Sequence, residues 1–74
     1  MEVKLNDISN LSKLDLVLIS KELQIMADMD SPRTHVRSEL LNSVWIDGDF
    51  SEIFNYTRIL ISSEIIRRIN KDIF

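Results

Sequence analysis

The chain has no cysteine, and it holds only one glycine, one proline, one alanine, one histidine and one tryptophan. Lack of cysteine excludes disulfides and thiolate metal sites. No apolar run approaches the ~18 residues of a membrane span. The longest, Leu16 to Ile19, suits one buried helix turn. Met1 to Asp7 lack the basic and apolar regions of a signal peptide, so the expected compartment is the cytoplasm. No catalytic, metal or nucleotide motif stands out. The protein is expected to be non-enzymatic, with no cofactor and no metal.

What is present is core material. The sequence is 45% hydrophobic, too apolar for a disordered segment, and isoleucine is especially frequent. Seventy-four residues make one domain, residues 1–74, near the lower limit of what folds without staples. Packing in this size range supplies only about 3–5 kcal/mol. Burying surplus isoleucine between two copies would add to that, which favours self-association. Few Ala, Gly and Pro beside abundant Ile, Asn, Lys, Asp and Ser suggest an A+T-rich gene, as in phages, plasmids and low-GC bacteria.

Pro32 and Gly48 divide the chain into three helical segments, predicting an all-α fold: a small three-helix bundle with a long C-terminal helix. Residues 1–10 read as an ordered lead-in, with Val3, Leu5 and Ile8 able to lie against the bundle; the pattern leaves open whether they add a strand. Ser12 can cap a first helix running to about Asp28, with Leu11 stapled to Leu16. Its apolar residues cover more than half the circumference, predicting a central helix. Ser31-Pro32 suits the start of a second helix ending near Trp45. Asp47-Gly48 is a turn. Asp49 and Glu52 resemble a capping box opening the third helix, although a hairpin through Val44–Phe50 is the rival reading. The third helix extends to about Ile73, roughly 36 Å at 1.5 Å per residue, and its end should overhang a compact bundle.

The apolar stripe of that third helix changes direction. Phe50, Ile53, Phe54 and Leu60 share one face; from Ile61 onward Ile65, Ile66, Ile69 and Ile73 define another. A small monomer needs one buried face, so these four isoleucines are the expected protein interface, both in a homodimer and against a protein partner of unknown identity. The expected function follows: a small helical protein that binds another protein, a regulator or inhibitor encoded by a phage or other mobile element.

His35 on a second helix has Ser31, Pro32, Ser38 and Glu39 at three and four positions, which make neither a triad nor a metal site. Asp47-Gly48-Asp49 places its glycine wrongly for a calcium loop, and Arg58 falls where the closing glutamate belongs. Nucleic-acid mimicry would need carboxylates along one face; Asp28/Asp30 and Asp47/Asp49/Glu52 sit instead at helix ends, mostly where the helix dipole favours them. The C-terminal segment lacks the interfacial tryptophan of a membrane-surface helix, so no membrane partner is expected.

The alternative function rests on Leu23 to Leu40, which resembles a helix-turn-helix, with Ala27 in the first helix and Ser-Pro-Arg-Thr-His-Val opening the second. The resemblance implies a transcriptional regulator whose Arg33, His35 and Arg37 face the DNA groove. It covers under a quarter of the chain. Glu39 falls where an apolar residue belongs, Asp30 replaces the turn glycine, and the net charge of −3 opposes phosphate binding.

Overall fold

The computed structural model describes residues 2–73; of Ile73 only the backbone is described. Among these residues the chain is mostly helical. In order come strand β1 (Lys4–Leu5), a 3-10 turn (Ile8–Asn10), helix α1 (Lys13–Ala27), a second 3-10 turn (Pro32–Thr34), helix α2 (Glu39–Val44), strand β2 (Trp45–Asp47) and helix α3 (Phe50–Ile73). Three helices with a long last one match the expectation. The small sheet does not.

Ser12 caps α1 as its chemistry predicts, its hydroxyl accepting from the Asp15 N–H at 3.1 Å. The inward face of α1 is Leu16, Ile19, Leu23 and Met26, all buried and three or four residues apart. The expected central position is corrected, because Leu14, Val17, Leu18 and Ile25 are exposed on its other side. A helix with apolar residues all round is here covered on one face only.

The second helix is much shorter than expected. Pro32 opens a single 3-10 turn, residues 35–38 belong to no helix, and Ser38 starts α2 afresh by accepting from the Leu41 N–H at 3.1 Å. The interruption places His35 and Ser38 against Glu22 of α1, contacts that a continuous helix from Pro32 would not make. Leu41 and Val44, the buried residues of α2, join the core.

After Val44 the chain leaves the helix as strand β2. Its partner is not the next segment but the lead-in: Leu5 pairs with Trp45 and Lys4 with Asp47, antiparallel, with an irregularity between the pairs. Asn6 extends the pairing by donating to the Val44 carbonyl at 2.9 Å. Val3 and Leu5 turn inward while Glu2, Lys4 and Asn6 stay exposed, the period of two that a half-buried strand requires. Neither the helix-turn-helix junction nor the hairpin describes the 44–50 region. Gly48 ends the strand at φ +146°, and a Cβ there would sit 3.4 Å from the Val3 backbone. The positive φ favours glycine, whereas the approach to Val3 is ordinary contact.

Helix α3 lies antiparallel to α1: Ile65, Arg68, Ile69 and Asp72 flank Lys13, Leu16 and Val17, while Arg58, Ile61 and Ser62 flank Ser20, Leu23 and Gln24. The expected overhang is therefore absent at the C-terminal end, which runs beside the first turns of α1. The surplus length of α3 lies at its start, against Trp45. There Trp45, Phe50 and Phe54 form a ladder, edge-to-face at 5.9 Å and then stacked at 5.8 Å.

Candidate interaction surface

Ile53, Phe54, Thr57, Ile61 and Glu64 are buried along one side of α3, and Arg68 continues that line half-buried. The packed face thus runs straight. What changes direction near Ile61 is the apolar content, because the inward positions become Glu64 and Arg68 while isoleucine moves outward. Of the four expected interface residues, Ile65 is half-buried against the core, and Ile66 and Ile69 are 57% and 52% exposed. The side chain of Ile73 lies outside the described residues.

Ile59, 63% exposed, shares the outer face of α3 with Ile66 and was missed. Its signal was the seven-residue step between them, two helical turns. The two isoleucines flank a shallow groove of about 510 Å³ with Arg58, Ser62 and Ser63. A second groove of about 260 Å³ runs between α3 and α1, lined by Ile65, Ile69, Leu16 and Val17 with Lys13 and Asp72 at its rim. On α1 the exposed residues Leu14, Leu18 and Ile25 follow at four- and seven-residue steps, a further apolar ridge.

The polar residues on the inner side of α3 are a clamp. Glu64 accepts from Arg67 Nη2 at 2.6 Å and from Arg68 Nε at 2.7 Å, and Arg68 donates onward to the carbonyls of Leu11 at 2.6 Å and Ser9 at 3.2 Å. Arg68 therefore ties the lead-in to the end of α3. Hydrogen bonds from Arg67 and then Arg68 hold the Glu64 carboxyl at about 2, against an opposing push from burial.

A second clasp surrounds Glu22. Its Oε2 accepts from the Ser38 N–H at 2.9 Å and from His35 Nε2 at 2.8 Å, while Oε1 accepts from the Ser38 hydroxyl. Burial pushes this carboxyl up, but the Ser38 hydroxyl, the Ser38 N–H and His35 together hold it below the ordinary value. The clasp gathers a histidine, a glutamate and a serine, a grouping that neighbours counted along one helix could not reveal. Its order is wrong for nucleophilic catalysis. Glu22 stands between the other two, so Ser38 has no imidazole to take its proton, and its oxygen also caps α2. It is a structural clasp.

Both carboxyls have folded values below 4.5, so their stabilisation is present above that pH and disappears as pH falls through the folded values. Thermal melts are expected to fall steadily from pH 5 towards pH 2. A Glu64→Gln variant should melt lower at neutral pH and show a shallower fall on acidification. Equal pH profiles for the two proteins would show that Glu64 is unpaired.

The residues of the DNA-binding alternative are not displayed on a recognition helix. Arg33 lies over the Phe50 ring at 4.8 Å, Arg37 over Trp45 at 5.3 Å, and His35 faces Glu22. The helix-turn-helix resemblance is thus not carried into the fold, since α2 begins only at Glu39 and spans six residues. Among the described residues no group of three or more His, Asp or Glu side chains is placed to hold a metal. Among the described residues no helix is long and apolar enough to cross a membrane. No protein-family model, curated protein or solved structure matches the chain.

Proposed function

We propose that this is a small non-enzymatic protein that works by binding other protein surfaces, and that it associates with itself through the outer face of α3. The observation that carries the reading is the exposure of Ile59, Ile66 and Ile69 on a helix whose opposite side already closes the core. Apolar surface gains roughly 25 cal/mol per Å² on leaving water, so an uncovered ridge of this kind favours a partner. The exposed ridge of α1 adds a second apolar surface on the same small molecule. Size and composition fit a regulator or inhibitor carried by a phage or other mobile element, and the one grouping of histidine, glutamate and serine described above is ordered wrongly for nucleophilic catalysis.

Sedimentation equilibrium tests the reading. The wild type is expected to be a dimer whose dissociation is concentration-dependent, and a double Ile66→Asp, Ile69→Asp variant a folded monomer. A wild type that stays monomeric at every concentration tested would overturn self-association.

A further inference from the structure

We propose that the second copy docks antiparallel on α3, about a two-fold axis near Ile65 and Ile66, with Arg58 of each copy paired to Asp72 of the other. This rests on the self-association proposed above and adds its geometry.

The spacing of the outer face comes first. Ile59, Ser62, Ile66 and Ile69 are separated by three, four and three residues, the alternation that keeps a seam facing a partner helix. Three of the four are isoleucine, and the fourth is small enough to let the helices approach. Continuing the same alternation reaches Asn55 at one end and Ile73 at the other.

The charges beside the seam then select its direction. On the flank nearer α1 lie Arg58, Ile65 and Asp72, each seven residues from the next; on the far flank lie Ser63 and Asn70. The flanks therefore carry one cation at one end and one anion at the other. Neither Arg58 nor Asp72 has an ion-pair partner among the described residues. Arg58 rests on the Phe54 ring at 5.6 Å and borders the groove beside Ile59 and Ile66, and Asp72 borders the groove beside Ile65 and Ile69.

In a parallel pair each flank faces the opposite flank of its neighbour, so Arg58 would meet Ser63 and Asp72 would find no cation along Tyr56, Ser63 and Asn70. In an antiparallel pair like flanks face each other. Arg58 then meets the second copy's Asp72 at both ends, and Ile65 meets its own counterpart at the middle. Either direction can close as a two-fold contact, but only this one pairs both charges.

Charge exchange provides the test. Arg58→Asp and Asp72→Arg, each alone, should weaken dimerisation on the order of tenfold to a hundredfold, because two attractions become two repulsions. The double variant should return to near wild-type affinity, and a mixture of the two single variants should form a heterodimer. If Arg58→Asp does not fold, Asp72→Arg carries the test, its loss being relieved by Arg58→Gln. The absence of native cysteine permits a second readout. An Asn55→Cys chain should not crosslink to itself, since antiparallel docking holds those positions about 30 Å apart at 1.5 Å per residue. A dimer indifferent to the charge exchanges, or one that crosslinks through Asn55→Cys, would overturn the antiparallel arrangement and leave self-association standing. A monomeric wild type would remove both.

Discussion

Ile61→Ala is expected to destabilise the fold by about 2–5 kcal/mol, whereas Ile66→Ala, five residues later on the same helix, should change monomer stability by no more than about 0.5 kcal/mol. Ile61 is 1% exposed and packs within the central cluster; Ile66 is 57% exposed. Truncating the first leaves a cavity. Truncating the second only removes solvent contact and places the best helix former at that position. A core of this size supplies only about 3–5 kcal/mol, so the Ile61 variant should lose a large share of its stability. Urea unfolding followed by circular dichroism, at concentrations too low for association, measures both. Equal losses would mean that the outer face of α3 is covered by its own subunit.

That comparison also marks how far the sequence could be read. Helix α1 was legible to within a residue or two because Ser12 caps it and its inward residues keep helical spacing. Helix α3 was legible for the same reason, despite its β-branched residues. The lead-in strand was written in the alternation of Glu2 to Asn6, but five residues of period two are too few to separate from chance without a partner strand. The partner lies some forty residues away at Trp45, and nothing local announces the pairing.

The second segment misled for a physical reason. Ser31-Pro32 and the spacing of Val36, Leu40, Leu41 and Val44 are sound helix signals, yet Val36 is 89% exposed. Contacts of His35 and Ser38 with Glu22 win over local propensity, and a second serine cap restarts the helix. Of the interaction surface, Ile66 and Ile69 were legible because the inward stripe and the isoleucine stripe diverge. Ile59 was hidden beside Leu60 and Ile61, where three consecutive apolar residues mask which one points out. The ridge of α1 is plainly apolar in the sequence, and the burial it suggests is one that the short α2 does not provide.

Thr57→Val is expected to cost about 1–3 kcal/mol, which in a domain of this size lowers the melting temperature by about 5–20 °C. The two side chains have nearly the same shape, so packing is preserved and only polar contacts are lost. Thr57 is fully buried; its oxygen accepts from the Trp45 indole N–H at 2.8 Å, and its hydroxyl donates to the Ile53 carbonyl at 2.6 Å. Valine leaves the indole donor buried without a partner. Thr57→Ser, which keeps the hydroxyl, should lose less. Trp45→Phe removes the donor itself, so adding Thr57→Val to it should be milder than Thr57→Val alone, a coupling that a double-mutant cycle reads directly. If the two losses simply add, the indole is not bonded to Thr57, and the attachment of β2 to α3 rests on ring packing. The bond matters beyond its own energy because Trp45 stands where strand, short helix and long helix meet. Weakening it should loosen the sheet first while the α1–α3 pair persists. Amide exchange in β1 and β2 should therefore accelerate more than exchange at Ile19 or Ile61.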